Sequence, residues 1–333
     1  MANKGTPKAD KIVVTTKSTV NADKGNDTIT LKSGSGSVIH GDAGNDYIGV
    51  LKTAGTKNKV YGDAGKDYIG IEGGKKNEFY GGASGDRFGL LAGSDNTLRG
   101  GAGTDRFEVA GGSGNSFYGE AAVDTFVING GKKNKFYGGA SGDVVILANG
   151  SNNTISGGES KDKFTIKGGS SNEVHGDAAV DTFTIAGGKK NNVYGDAGKD
   201  KFTLSNGTSN KILGGTGTDT FTITGGKSNI IYGGTGVDTF KISGGSKNII
   251  YGEGSTDKFI FSAGATGQTI LSDYVKAEMI KFDGDVNYAG TFSYEDKDVT
   301  LDLTNNGTIK LLGGKGKTVT FVDSAGTKTT HTF

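Results

Sequence analysis

The chain has no cysteine, no tryptophan and a single proline among its 333 residues. Without cysteine there are neither disulfides nor thiolate metal sites. The three histidines, His40, His175 and His331, are scattered along the sequence, which argues against a histidine-based metal site. No stretch approaches the ~18 consecutive apolar residues of a membrane-spanning helix. The opening residues, Met-Ala-Asn-Lys-Gly, lack the apolar run of a secretory signal peptide. Net charge is +1, so bulk electrostatics favours neither nucleic acid nor membrane. We expect no nucleic-acid partner and no membrane insertion.

What the chain has in excess is glycine, 62 residues, against a hydrophobic fraction of only 33%. Collagen would need a Gly-X-Y period and abundant proline, and neither is present. Disorder would need few β-branched and aromatic residues. Here Ile, Val, Thr, Phe and Tyr recur at fixed intervals, which leaves a turn-dense repeat.

The period is nineteen residues, as in LGGTGTDTFTITGGKSNII (213–231) and YGGTGVDTFKISGGSKNII (232–250). Carried along the chain, the register gives thirteen coils from residue 21 to about 270. The coil from His40 has two extra residues near Leu51–Thr53. Position 7 is always aspartate: Asp27, Asp46, Asp67, Asp86, Asp105, Asp124, Asp143, Asp162, Asp181, Asp200, Asp219, Asp238 and Asp257. Position 2 is glycine after the first coil, and position 17 is asparagine from Asn58 to Asn248. Positions 9, 11 and 19 are apolar, as at Phe221, Ile223 and Ile231.

Positions 9 and 11 are two apart, so they share the inner face of a short strand. A second strand passes through positions 17, 19 and 2, with 19 pointing inward. Glycine pairs at 2–3 and often at 13–14 supply turns with φ > 0. The expected fold is therefore all-β: a right-handed parallel β-roll or β-solenoid of about thirteen coils. With three apolar side chains per coil its core is thin, and something further should stabilise the turns. The aspartate column is the candidate, either as Asx turn caps or as ligands to a cation. Carboxylates stacked ~5 Å apart repel without a counterion.

The segments GGTGTDTFT (214–222), GGAGTDRFE (100–108) and GGTGVDTFK (233–241) follow Gly-Gly-x-Gly-x-Asp-x-apolar-x. In these residues, and over about three quarters of its length, the chain resembles the haemolysin-type (RTX) calcium-binding repeat family. The resemblance implies that turn carbonyls and the aspartates of successive coils enclose Ca²⁺. The metal ligands would then be the thirteen aspartates of position 7. A hard ion taking 6–8 oxygens suits such a turn. One edge only carries the signature, so ions are expected along one edge. Coils with Ser84, Ala122, Ser141, Ser160, Ala179 or Ser255 at position 5 depart from the pattern and are expected to bind weakly or not at all.

The asparagine column reads as an internal amide ladder. Tyrosines recur on the outer face at position 1, and lysines on the edge without aspartate, paired at Lys75–Lys76, Lys132–Lys133 and Lys189–Lys190. An ice-binding array of Thr and Asn or Asp at positions 4 and 6, as in the ice-binding region of a bacterial RTX adhesin, is not present: position 4 is mostly alanine. Residues 1–20 read as an N-terminal strand or cap. Residues 271–333, beginning with a segment like those closing many calcium rolls, read as a β-rich cap with a possible secretion signal.

No cleft-building loops and no Ser/His/Asp or paired-carboxylate motif stand out from the repeat, so an enzyme is not expected. The leading reading is a secreted, extracellular or cell-surface structural protein that folds on Ca²⁺, exported by type I secretion as the resemblance implies. It is expected to self-associate, axially or laterally, into a filament, surface layer or matrix. The alternative is an adhesin-type module contacting glycans or a host surface.

Overall fold

A computed structural model describes residues 2–275 and 278–333, with no helix among them. The fold is an all-β parallel solenoid of about fourteen coils at nineteen-residue spacing. The chain divides into two compact units, Met1–Lys163 with Gly169–Glu173, and Phe164–Gly168 with Val174–Phe333.

In the first unit each coil contributes two strands to two parallel sheets. Positions 8–11 form one, where Arg87–Leu90 pairs in register with Arg106–Val109, so that Phe88 meets Phe107 and Leu90 meets Val109. The strand entering the next coil forms the other, where Leu98 meets Phe117. Both alternate buried and partly exposed residues, Thr97–Ala102 until it reaches its exposed end at Ala102, the period of a pleated strand with one face on a core. Inside, Phe88, Phe107 and Phe126 stack at 4.7 and 4.9 Å, while Phe117 crosses Phe107 edge-on at 84°. Each such pair is worth about 0.5–1.5 kcal/mol beyond its buried area, which compensates in part for the thin core.

The N-terminal segment is more than a capping strand. Ala2–Lys4 pairs in parallel with Thr19–Asn21, and Lys11–Val14 with Thr28–Leu31, so these residues make an additional coil. It escapes the repeat because Ile12 and Ile29 lie seventeen apart, and because the Gly-Gly turn is replaced by a turn in which Asp10 accepts from Thr6.

The second unit repeats the architecture, with a continuous phenylalanine stack from Phe164 through Phe183, Phe202, Phe221 and Phe240 to Phe259. Parallel stacking runs past residue 270. Gln268–Leu271 and Met279–Phe282 extend the two sheets with a two-residue slip, Ile250 meeting Leu271 and Phe259 meeting Ile280. Thr308–Leu311 and Thr318–Val322 add one more parallel layer. Antiparallel pairing enters with this layer: Tyr288–Glu295 pairs with Asp298–Leu303, that strand with Thr308–Leu311, and Thr318–Val322 with Lys328–Thr332. Residues 271–333 are thus a continuation of the stack closed by hairpins.

Candidate metal centre

Position 7 lies where the turn enters the strand of positions 8–11, and all thirteen aspartates there are at most 3% exposed. Their backbone joins the ladder: the N–H of Arg106 donates to the carbonyl of Asp86, for example, at 2.8 Å. The carboxylate adds a second ladder. From Asp46 to Asp162, Oδ1 accepts the backbone N–H of the aspartate one coil earlier, at 2.7 Å from Asp27 to Asp46 and 2.6 Å from Asp86 to Asp105. In the second unit it runs from Asp181 to Asp200, Asp219, Asp238 and Asp257 at 2.7–2.8 Å. One oxygen therefore does the work of a turn cap.

The other oxygen does not. At Asp27, Asp46, Asp67, Asp86, Asp105, Asp124, Asp143, Asp200, Asp219, Asp238 and Asp257, Oδ2 is buried and accepts no hydrogen bond from the described residues. Asp162 and Asp181 sit in the same buried column, Asp162 accepting from Asp143 and Asp181 donating to Asp200. A Cβ at Gly100 would overlap both Oδ2 of Asp105 and the carbonyl oxygen of Gly119 in the next coil. The same pair of oxygens, Oδ2 of the coil and a carbonyl of its successor, meets Gly41, Gly62, Gly138, Gly195 and Gly214. Position 2 is glycine because any side chain would fill this oxygen-lined cradle.

Burial raises these carboxyls, against the hydrogen bond to Oδ1, with neighbouring carboxylates adding to the rise at several. They reach about 8 at Asp86 and Asp124, about 7 at Asp46 and Asp219, and about 6 at Asp67, Asp105, Asp143, Asp200 and Asp257. Asp27 and Asp238 are raised for the same first reason. A column of buried carboxylates needs protons or cations. Its donors are all oxygen, carboxylate and carbonyl, and Oδ2 lacks a partner; both fit a hard divalent ion.

The asparagine column provides the contrast. Oδ1 of Asn96 accepts the N–H of Asn77 at 2.9 Å, just as an aspartate would. Its Nδ2, however, donates to the carbonyl of Gly74 at 3.3 Å, and Nδ2 of Asn115 donates to Gly93 at 3.2 Å. The amide protons satisfy carbonyls that, on the aspartate edge, face another oxygen. That edge has no need of an ion.

Position 5 divides the turns into two kinds. Where it is Gly65, Gly103, Gly217 or Gly236, φ lies between 127° and 140°, and a Cβ would strike the carbonyl of the residue one coil earlier. Where it is Ser84, Ala122, Ala179 or Ser255, φ falls to 71–84°, within reach of a non-glycine residue. Ser160, at 146°, holds the glycine-like conformation. The Oδ1 ladder passes through both kinds unchanged.

Glu278 closes the column and was invisible in the repeat. It is 1% exposed, and its Oε1 faces Gly252 beside Oδ2 of Asp257, where a glycine carbonyl stands in earlier coils. Its Oε2 accepts the N–H of Val275 at 2.8 Å, and burial raises its carboxyl to about 7. Asp273 accepts the N–H groups of Gly252 and Glu253 at 2.9 and 2.8 Å. Its place depends on the path of the closing segment, which no periodicity encodes.

No family model matches the chain. No curated protein matches it either. Among solved structures, the chain is similar to one described as a hyperactive, Ca²⁺-dependent, beta-helical antifreeze protein from an Antarctic bacterium, with TM-score 0.45 and 16% identity. The similarity covers 82% of this chain and 86% of that one.

Proposed function

We propose that this is a calcium-dependent structural protein of the haemolysin-type repeat kind, without enzymatic activity, whose coils order around Ca²⁺ held along the aspartate column. The observation that carries the reading is the row of buried Oδ2 oxygens, set against a carbonyl of the next coil at Asp46, Asp105, Asp143, Asp200 and Asp219 among others, with no hydrogen bond to them from the described residues. Asp27 through Asp257 would hold the ions with position-2 carbonyls, and Glu278 would complete the last step. Bound calcium supplies the positive charge that lets neighbouring buried carboxylates ionise together. Low cytosolic calcium would leave the sites unfilled and extracellular calcium would fill them, coupling folding to export. Circular dichroism during a calcium titration at pH 8, where even the carboxyls raised to about 8 are losing their protons, tests this: chelation should weaken the β signal and calcium restore it. A spectrum indifferent to chelation would sink the reading.

We further propose that the folded chain self-associates into an extracellular filament, layer or matrix. The aspartate column is buried, so it cannot meet the lysine edge of a neighbour. Acids that can are those at position 3 outside the histidine-bearing coils and their successors, exposed Glu120 and Glu253 among them. Charge reversal of Lys75, Lys132 and Lys189 should disperse calcium-induced assemblies in electron micrographs; assemblies untouched by it would exclude this lateral pairing. A second reading, an adhesin-type module, is favoured by outward aromatic pairs, Tyr61–Tyr80 at 4.7 Å, Tyr118–Tyr137 at 5.0 Å and Tyr232–Tyr251 at 4.6 Å. Monodisperse protein that binds glycan arrays would favour it.

A further inference from the structure

The histidines His40 and His175 are scattered in sequence but not in their surroundings. Each occupies position 1 of a coil, with an aspartate at position 3 of the same coil and another at position 3 of the next. Positions 1 and 3 share the outer face of a strand, and in-register stacking sets the next coil's position 3 alongside. His40, Asp42 and Asp63 each place one ligand atom within 4.8 Å of the other two, and so do His175, Asp177 and Asp196. The closest pair in each is Nδ1 to Oδ2, at 2.9 Å from His40 to Asp63 and 2.9 Å from His175 to Asp196. Each ring lies flat on the tyrosine of the next coil: His40 on Tyr61 at 4.5 Å and 3°, His175 on Tyr194 at 4.5 Å and 4°. The first triad lies wholly in the first unit and the second wholly in the second, so the arrangement is built twice.

We propose that these two triads bind a divalent transition-metal ion of the zinc type, independently of the aspartate column. A histidine–aspartate contact joins two members of each triad, and in the first triad Oδ2 of Asp42 also accepts the backbone N–H of Asp23 at 3.0 Å, which leaves that carboxylate further lone pairs for an ion. One imidazole nitrogen with two carboxylate oxygens is a mixed donor set that selects zinc-like ions, whereas calcium takes oxygen alone. Two ligands at about 2.1 Å from one tetrahedral ion stand ~3.4 Å apart, so the Nδ1–Oδ2 pairs, hydrogen-bonded at 2.9 Å without the ion, would open by about 0.5 Å to take it. Stacking on tyrosine holds the imidazole edge toward the carboxylates, and the partial exposure of both pairs leaves an ion a way in and room for water as further ligand.

The test is zinc uptake by the full chain in saturating calcium, which keeps zinc from the column, followed by equilibrium dialysis. Two zinc ions per chain are expected, one after H40A or H175A, and none after both. D63N and D196N, which keep an acceptor oxygen but lose the charge, should weaken their own site at least ~10-fold. Cobalt bound to the unsubstituted chain gives a reading that needs no variant: the ring resonances of His40 and His175 should shift paramagnetically while those of His331 stay in place. Zinc uptake unchanged in the double histidine variant, no uptake at about 0.1 mM free zinc, or cobalt shifts spread equally over all three histidines would each overturn the proposal.

Discussion

Aspartate and asparagine differ by one terminal group, and this chain uses both in the same way up to that group. Oδ1 of Asp105 and Oδ1 of Asn115 each accept the backbone N–H of the coil before, from Asp86 and Asn96. The difference is at the second atom, where Nδ2 of Asn115 has protons for Gly93 and Oδ2 of Asp105 has none for Gly119. Asp105→Asn should therefore supply that proton. In chelator the variant is expected to be more stable than the parent by about 1–3 kcal/mol, the cost of an unsatisfied buried polar group. In calcium it should bind fewer ions and lose that advantage. Chemical denaturation with and without calcium measures both. A variant destabilised in both conditions would mean the carboxylate is needed for something other than an ion.

At the scale of the coil, glycine at position 5 is a geometric requirement only in some turns. Gly236 has φ 129°, and a Cβ there would fall on the carbonyl of Gly217. Gly236→Ala should cost roughly 1–3 kcal/mol from backbone strain alone, while Ala122→Gly, at φ 71°, should relieve strain and gain up to ~1 kcal/mol. Thermal melts of the two variants in calcium give the comparison, and equal effects would refute the distinction. On the opposite turn, position 16 holds a left-handed residue in coil after coil, Lys76, Lys133 and Lys190 at 54–55° among them. Lys133→Gly removes that strain, and a gain of up to ~1 kcal/mol is expected in the same melts.

Much of this was legible in the sequence, because a parallel stack repeats its chemistry at a fixed interval. The period, the inward positions 9, 11 and 19, and the placement of aspartate and asparagine columns at two turns all follow from residues that recur. What lay outside the repeat was not legible. Asp10 sits seventeen residues from Asp27 and lacks the glycine turn, so the first coil read as a cap. Glu278 acts from a closing segment whose backbone path no repeat specifies. The histidines looked isolated because the distance that matters is across coils: His40 and Asp63 are 23 residues apart and touch. Which carboxylate oxygen caps and which is left over is likewise a matter of side-chain rotation that no spacing reports.

For the whole molecule, the column makes stability depend on pH in opposite senses with and without calcium. Carboxyls along the column, Asp46, Asp67, Asp105 and Asp219 among them, titrate above their unfolded value of 3.8, and those of Asp86 and Asp124 reach about 8. The folded chain without calcium therefore holds more protons than the unfolded one. Stability from these groups is fully present below the unfolded value and is lost as pH rises through about 6 to 8. In chelator, the melting temperature should thus fall between about pH 5 and pH 8. Calcium competes with those protons, so its stabilisation should grow over the same interval as the carboxyls ionise more readily. Each filled site adds about 2.7 kcal/mol at a hundredfold excess over its dissociation constant, and a row of sites sums that gain. Scanning calorimetry across this range, with chelator and with calcium, should give two curves that diverge toward high pH. Parallel curves would mean that the carboxyls are already charged without the ion, and the proton's role as calcium's stand-in would have to be abandoned.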